Sequence, residues 1–468
     1  MVSARLFLST LDTVAESCRP LVRPDELRPK VVHFGLGAFH RAHQAVYTEA
    51  VAASGQPWGI AAVAPRSPEP VDALRAQDGL FSVTDGRTRV VGSVVEALKM
   101  VPDAARVDEL LTSPDVTVVT LTITEKGYCR DPRTGRLDLS APEVAADLAG
   151  RPPRSVLGRL ATSLANRSRS SGAPVNLVSC DNAAGNGVAL KAVLTDFVAA
   201  SPWPDRDAVL SWIEESVAFP STVVDRIVPA ATEADRDAAE AALGVRDEMA
   251  VVGEPYRQWV LENTFVAARP PWELDGALVV PDATPYQLMK LRLLNGAHSA
   301  LAYCGLAAGC RTVSDTLATA WGEKLVRGLA AEAAPTLPVA DLDVPGYVDA
   351  LVERFANPAI GHRLRQIGSD GSLKIAERWF PVLRERGGAG PALATALAAW
   401  AHTTREDFGT TDPAAADLAA CWADEPGDAV AVASLLRIAG GAGLAEDRAL
   451  TTAVAERLPA VRAGRIDL

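Results

Sequence analysis

The sequence has little of what cross-links a protein or anchors it in a membrane. Its six cysteines are scattered over 468 residues without a CxxC pair, so we expect neither disulfides nor structural zinc. No apolar run approaches the roughly 18 residues of a membrane helix. The start, MVSARLFLST, lacks the apolar core and cleavage site of a secretory signal. These absences predict a cytoplasmic protein with no membrane partner.

Positive charge is also scarce, because 46 lysines and arginines face 58 aspartates and glutamates and leave a net charge of −12. No basic patch or lysine-rich tail offsets the negative excess, so a nucleic-acid partner is not expected. The histidines of HRAH (40–43) have no carboxylate or cysteine companions at metal-ligand spacing. The sequence therefore predicts no metal site.

Apolar runs of strand length alternate with helical stretches in the first half of the chain. They are VVHFGLG (31–37), GIAAVA (59–64), VTVVTLTI (116–123) and VNLVSC (175–180). Strands that are buried on both faces of a parallel sheet have this near-continuous apolar character. Segments such as 41–53 and 153–170 supply the helices between them. The pattern predicts a doubly wound α/β domain.

A change in composition divides the chain, which is too long for one compact core. From about residue 285 the strand signal disappears and alanine-rich helical sequence follows. The proline-rich segment 268–285 has the composition of a crossing between domains. We therefore predict an α/β domain over residues 1–284 and a mostly α-helical C-terminal domain over residues 285–468.

The first strand ends in a Gly-x-Gly turn, within VVHFGLGAFHRAH, directly before a helix. Glycines at this point let the backbone approach a pyrophosphate at the helix N-terminus. Gly35 and Gly37 match the pattern, but His40 stands where a third glycine is usual. A plain tight turn would also explain two glycines, yet their place after the first strand favours a Rossmann-type dinucleotide site.

The second strand should end in an acid that holds the adenosine ribose if the dinucleotide is NAD. Arg66 and Ser67 occupy that point, and Glu69 follows as a late substitute. Arginine and serine could receive the extra phosphate of NADP, or they could be ordinary loop residues. The residues themselves leave the choice between NAD and NADP open.

The stretch MKLRLLNGAHSALAY (289–303) is apolar almost all round a helical wheel, which is typical of a buried helix. At about 100° per residue, its polar residues Lys290, Asn295 and His298 lie within roughly 140° of one another. Desolvation lowers the pKa of a lysine, which can then act as general base near neutrality. An asparagine amide can donate to a developing oxyanion. The alternative is a lysine that reaches the surface beside satisfied core side chains.

Two further polar groups lie at or within apolar strands. Asp181, Asn182 and Asn186 follow a strand at the edge where open α/β sheets bind ligands, although a plain asparagine- and glycine-rich turn fits equally. Asp225 and Arg226 lie inside the apolar run of FPSTVVDRIVP, most simply as a buried ion pair.

Seven segments between roughly residues 30 and 380 are distinctive. In chain order they are HFGLGAFHRAHQAVYTEA, LTITEKGYCRDPRTGRLDL, SCDNAAGNG, VVDRIVPAAT, EPYRQWV, MKLRLLNGAHSALAY and IGSDGSLKI. They closely resemble the polyol-specific long-chain dehydrogenases and reductases, the mannitol dehydrogenase family. TEKGYC, VDRIVPAAT and EPYRQWV look most like its fructuronate reductase branch. The resemblance implies metal-free hydride transfer between NAD(P) and a secondary alcohol of an open-chain sugar derivative.

The resemblance also implies residue roles. Lys290 is the general acid/base, Asn186 and Asn295 form the oxyanion site, and His298 positions the substrate. The implied substrate contacts are Val224, Asp225 and Lys374. The implied cofactor contacts are Val32, Phe34, Gly35, Gly37, Ala38, Phe39, His40 and Arg66, for NAD with NADP as the alternative.

Two departures from the family pattern bear on function. Family members usually carry a glutamate three residues before the lysine, where it relays protons, and this chain has Gln287, which cannot ionise. The arginine expected just before the SDGSLK segment is displaced, so Arg363 and Arg365 are the candidates for binding a substrate carboxylate.

The leading interpretation is an enzyme that interconverts D-fructuronate and D-mannonate. The runner-up keeps the chemistry but acts on an uncharged polyol such as mannitol or arabinitol. A non-catalytic dinucleotide-binding sensor is the third hypothesis, and the Lys290, Asn295 and His298 set argues against it. The expected partner is a small molecule, and the expected state is a monomer or weak oligomer, as in the family.

Overall fold

The computed structural model describes residues 4–468 except residues 132, 339, 340, 424 and 426. The chain forms two compact units, Met1–Ala283 and Thr284–Leu468. Among the described residues, no helix is long and apolar enough to cross a membrane.

A six-stranded parallel sheet with the order β5-β2-β1-β6-β7-β8 is the centre of the first unit. Its strands are β1 (Arg28–Phe34), β2 (Trp58–Ala64), β5 (Val94–Lys99), β6 (Val118–Leu121), β7 (Val175–Ser179) and β8 (Val217–Ala218). Strand order reverses between β1 and β6, and open α/β sheets bind ligands at such a switch point.

Two small sheets accompany the central one, with the orders β10-β3-β4 and β12-β11-β9. Their strands are β3 (Phe81–Thr84), β4 (Thr88–Val91), β9 (Thr222–Asp225), β10 (Val251–Val252), β11 (Gln258–Glu262) and β12 (Leu278–Val280). The last strand, β12, lies within the segment 268–285, which has the composition of a crossing between domains. Its short apolar run pairs in parallel with β11, so most of that segment belongs to the first unit.

Helices cover both faces of the central sheet. They are α1 (Ala38–Ala42), α2 (Gln44–Ala52), α3 (Glu69–Arg75), α4 (Ala104–Thr112), α5 (Pro142–Leu148), α6 (Val156–Arg169), α7 (Asn186–Ala200), α8 (Arg206–Ser216) and α9 (Glu233–Leu243). Val32 and Phe34 of β1 pack in a core with α4, α6 and α7, whereas Val31 packs in the opposite core with α2 and α3. Alternate side chains thus fill two cores, which confirms the predicted doubly wound α/β fold.

The second unit is helical, and its described residues form no strand. Its helices are α10 (Thr284–Met289), a π-helix (Lys290–Asn295), α11 (Gly296–Ala307), α12 (Val313–Leu317), α13 (Gly322–Ala333), α14 (Val344–Ala356), α15 (Leu364–Gly368), α16 (Gly371–Arg378), α17 (Phe380–Arg386), α18 (Pro391–Thr403), α19 (Ala415–Ala420), α20 (Asp428–Ile438), α21 (Ala442–Ala445), α22 (Arg448–Ala455) and α23 (Leu458–Arg462). Helix α11 lies at the centre and packs against α12, α13, α15 and α18.

Replacing Gly305 of α11 with alanine is expected to destabilise the second unit by about 1–3 kcal/mol, because the added carbon overpacks a filled core. A Cβ at this position would meet Thr316 Oγ1 at 2.3 Å and Leu364 Cδ1 at 2.6 Å. Urea denaturation measures the loss. Gly443→Ala in α21, where a Cβ meets no atom within 4 Å, is the matched control. Equal stability of the two variants would contradict this packing.

Candidate active site

The Gly-x-Gly turn sits at the switch point of the sheet. Gly35 has φ +117°, and a Cβ there would meet Thr122 O at 2.5 Å, so only glycine fits against the end of β6. Gly37 is exposed, and a Cβ on it would have no neighbour closer than 3.8 Å. The turn is therefore packed tightly on the sheet at Gly35 and open to a ligand at Gly37.

His33, inside the apolar strand β1, ties this turn to β6. One ring nitrogen bonds to Thr120 Oγ1 (2.7 Å), and the other lies 3.1 Å from Gly35 O and 2.9 Å from Thr122 Oγ1. Burial lowers the pKa of His33 to about 3, so the ring is neutral at physiological pH. His33 was not among the predicted site residues, although a histidine in an otherwise apolar strand was the available signal.

The cofactor positions implied by the resemblance differ in how accessible they are. Val32 and Phe34 are fully buried in the core, so their side chains cannot contact a ligand. His40 is also buried, and its ring stacks on His33 with centroids 3.5 Å apart. Ala38 and Phe39 are half-buried beside the open turn. Because the His40 ring is packed in the interior, only the backbone of this residue can contact a dinucleotide.

The loop after β2 carries the residues on which the choice between NAD and NADP depends. Arg66 and Ser67 are exposed, and α3 begins at the equally exposed Glu69. Burial raises the pKa of the Cys129 thiol, and the charge of Arg66 acts in the opposite direction. No strand-end carboxylate stands at the predicted place.

Two polar chains order the edge of the sheet after β7. Tyr128 Oη lies 2.5 Å from Ser179 Oγ, which donates to Asp181 Oδ2 at 2.9 Å. Asn186, at the start of α7, accepts from Thr222 N at 2.9 Å and donates to Thr222 O and Asp181 O, both at 3.2 Å. The Asn186 amide thus joins α7 to β9 and is only 1% exposed. An oxyanion would have to compete with these backbone acceptors for the N–H groups of the Asn186 side chain.

The predicted ion pair of Asp225 with Arg226 is wrong. Arg226 instead bonds Asp85 Oδ2 through Nη2 at 2.6 Å and donates to Glu254 O at 2.9 Å. Neighbouring side chains on a strand point to opposite faces, so two consecutive residues at the end of β9 are poorly placed to pair. Val224 and Asp225 are themselves buried, with 3% and 5% exposure.

In the second unit, the predicted continuous α-helix is interrupted by the π-helix Lys290–Asn295. An α-helix would place residues five apart about 140° from each other. A π turn closes with i→i+5 hydrogen bonds, so Lys290 and Asn295 lie on nearly the same face of the helix, and His298 follows about one α-turn later. These three side chains form a half-buried polar stripe, rather than the fully buried set that was predicted.

The members of this stripe differ in their partners. Among the described residues, no group hydrogen-bonds to the Asn295 side-chain amide. The His298 ring packs on Phe355 and on His362, with centroids 5.3 and 4.6 Å away, and its buried Nε2 has no partner in the described chain. Burial, and then the charges of His362 and Arg378, hold the pKa of His298 well below its usual range. Gln287 lies half-buried in α10, one turn before Lys290.

The neighbouring helices brace the π turn. Arg378, the last residue of α16, donates from Nη1 to Asn295 O at 3.2 Å and to Ser299 Oγ at 2.7 Å. Trp379 Nε1 donates to Gly296 O at 3.2 Å. Arg292 forms an ion pair with Glu385, with an Nη1–Oε2 distance of 2.6 Å. Arg378 was not among the predicted site residues, because nothing near it in the sequence relates it to the stripe.

Basic residues near the SDGSLK segment divide into two sets. Lys374 Nζ donates to Ser369 O at 2.6 Å and Ile367 O at 3.1 Å, and burial followed by the charge of Arg378 lowers its pKa. Arg363 and Arg365 are exposed, and Arg365 lies beside Gly409. Neither arginine forms a hydrogen bond with the polar stripe among the described residues, although Arg363 directly follows His362, whose ring contacts His298.

Acidification is expected to destabilise the protein through its buried histidines. His33, His40 and His298 have lowered pKa values when folded and ordinary values near 6.5 when unfolded. Below about pH 6.5 the unfolded chain binds more protons, so each ring costs up to about 1.4 kcal/mol per pH unit. Urea denaturation from about pH 7.5 to 5.5 measures this slope. His40→Phe, which cannot titrate, should flatten it, and an unchanged slope would contradict the assignment.

Comparisons with known proteins agree with this architecture. The profile for the mannitol dehydrogenase Rossmann domain matches residues 29–274, and that for the mannitol dehydrogenase C-terminal domain matches residues 282–461. The oxidoreductase YeiQ of Escherichia coli K12 is 43% identical over 77% of this chain and 75% of its own length. D-mannonate oxidoreductase of the same organism is 38% identical over 84% of this chain and 85% of its own.

A solved structure shares the fold over nearly the full length. Mannitol 2-dehydrogenase of Pseudomonas fluorescens, solved with NAD and D-mannitol, is 33% identical, covers 99% of this chain and 98% of its own, and superposes with a TM-score of 0.80. Both family profiles and both relatives indicate an oxidoreductase with this two-domain organisation. The chain belongs to the mannitol dehydrogenase family and is an oxidoreductase that acts on CH–OH groups.

Proposed function

We propose that the protein interconverts a secondary alcohol and a ketone in an open-chain sugar acid, D-mannonate and D-fructuronate, with NAD as the cofactor. The observation that carries the proposal is the half-exposed stripe of Lys290, Asn295 and His298 on a helix that is otherwise largely buried. A helix that only fills a core rarely carries three such polar side chains, because polar residues are mostly found at the surface. The proposal places the reaction in the cytoplasm, in a monomer or weak oligomer.

The first unit fits a dinucleotide. Gly37 is open to an approaching ligand, and Gly35 and His33 fix the turn beneath it. NAD is the proposed cofactor because the solved relative from Pseudomonas fluorescens binds it. NADP is the alternative, since the exposed Arg66 and Ser67 stand where an acid would otherwise repel the extra phosphate. When bound, the nicotinamide supplies the acceptor or donor of the hydride.

The residues of the second unit supply the proton and the electrostatic stabilisation. Neutral Lys290 takes the proton of the substrate hydroxyl during oxidation and returns it during reduction. The Asn295 amide has no partner in the described chain, so it can donate to the oxygen as negative charge develops there. His298, kept neutral by burial, positions the substrate hydroxyls. Asn186 is proposed as a second oxyanion donor, although it now bonds to Thr222.

Two observations favour different substrates. The 38% identity to D-mannonate oxidoreductase and the basic residues Lys374 and Arg378 near the stripe support a substrate with a carboxylate. The likeness to mannitol 2-dehydrogenase supports an uncharged polyol as the second candidate. The two substrates differ at one end only, where a carboxylate replaces a hydroxymethyl group.

The test is a steady-state assay that follows the absorbance of the reduced nicotinamide. D-fructuronate and D-fructose are compared with NADH and then with NADPH. We expect a kcat/KM at least about 100-fold higher for D-fructuronate, because the binding of a charged group is lost with fructose. A preference for fructose would move the protein to the polyol branch, and turnover of neither would refute both substrates.

A further inference from the structure

Arg378 is a half-buried arginine whose hydrogen-bond partners are all neutral. Its hydrogen bonds go to Asn295 O and Ser299 Oγ, and its buried Nε has no partner among the described residues. No carboxylate of the described chain pairs with it within salt-bridge distance, and its neighbour Glu377 is exposed. An uncompensated buried charge is costly unless an anion joins it.

The surroundings of Arg378 add positive charge. Lys374 lies one turn earlier on α16. The charge of Arg378 lowers the pKa of Lys374. The charges of Arg378 and Lys374 both lower the pKa of His298. Arg354 acts on His298 in the same direction. These positive charges therefore act at the end of the polar stripe at which His298 and His362 meet.

None of the nearby acids forms an ion pair with Arg378 among the described residues, although Asp370 and Asp412 offset part of the positive charge at Lys374 by raising its pKa. Asp412 accepts hydrogen bonds from Ser372 N at 2.8 Å, from Ser372 Oγ at 2.6 Å and from Ala414 N at 2.9 Å. Asp370 is exposed at the start of α16. The Arg378 guanidinium thus has no ion-pair partner in the described chain, and an anion from outside it can take that place.

We propose that Arg378 binds the carboxylate of the substrate, assisted by Lys374, and is the residue that selects a sugar acid over an uncharged polyol. The inference rests on the proposed function. Arg378 Nη1 is committed to Asn295 O and Ser299 Oγ, whereas Nη2 bonds to no described residue and can donate to a carboxylate in a charge-assisted hydrogen bond. Through Asn295 O the same guanidinium is fixed to the polar stripe, so the substrate's charged end and its reacting carbon are positioned by one connected group. This assignment replaces the exposed Arg363 and Arg365.

The experiment measures kcat/KM for D-fructuronate and D-fructose in Arg378→Gln and Arg378→Lys. The ratio of the two values is expected to fall about 10- to 100-fold in Arg378→Gln, mainly through KM for D-fructuronate, and to recover in part in Arg378→Lys. Arg384→Gln, an exposed arginine of α17, is the matched control with an unchanged ratio. Circular dichroism melting verifies that each variant is folded.

The outcomes separate this inference from the proposed function. If Arg378 only braced the π turn, kcat would fall equally with both substrates and the ratio would stay constant, which would overturn the inference. A shift of the ratio in Arg365→Gln, but not in Arg378→Gln, would overturn it as well. A wild-type protein without preference for D-fructuronate would instead refute the proposed substrate and, with it, the need for a carboxylate site.

Discussion

Replacing Lys290 with alanine is expected to lower kcat by about 100- to 10,000-fold, the usual contribution of general acid–base catalysis. The alanine leaves no group to take the hydroxyl proton. Cofactor affinity should stay within about twofold, because the Gly-x-Gly turn and its His33 anchor lie in the first unit. Steady-state kinetics measure turnover, and fluorescence titration with NADH measures binding.

The control for this variant is Lys324→Ala, an exposed lysine on α13, which should retain wild-type turnover. Lys290→Arg should be as inactive as the alanine variant, because a guanidinium does not give up its proton near neutral pH. Turnover of the alanine variant above about one tenth of wild type would remove Lys290 from the mechanism. Lost turnover with retained cofactor binding would refute the non-catalytic sensor.

Replacing Asn295 with alanine is expected to lower kcat by about 100- to 1000-fold, the cost of removing one oxyanion donor. Asn295→Asp should be at least as slow, since its carboxylate repels the charge that develops on the substrate oxygen. The stability of both variants should change little, because no described residue bonds to this side-chain amide. Kinetics and thermal melting, measured on the same samples, test the two statements together.

Asn186→Ala is the matched comparison for the second oxyanion candidate. Its amide satisfies Thr222 N and Thr222 O, so its removal leaves two buried backbone groups unpaired and should cost about 1–3 kcal/mol of stability. A variant that is destabilised but retains kcat would make Asn186 a structural residue. A loss of kcat comparable to that of Asn295→Ala would place both amides at the reacting oxygen.

The sequence by itself determined the two kinds of architecture in this chain. Near-continuous apolar runs require strands buried on both faces, and they correspond to β1, β2, β6 and β7 of the central sheet. Alanine-rich sequence after residue 285 forms only helices in the described part of the second unit. Both results follow from the periodicity of apolar residues along the chain and from the need to bury apolar surface. Both are properties of residues that are close together in the sequence.

Only the tertiary structure decided how the polar groups are paired. The π turn, which brings Lys290 and Asn295 onto one face, has no signature in the hydrophobic pattern. Arg378 reaches Asn295 across 83 positions of sequence, and Arg226 finds Asp85 across 141 rather than its neighbour Asp225. A side chain's partner depends on which elements pack together, so spacing along the chain could name candidate charges but could not assign their partners.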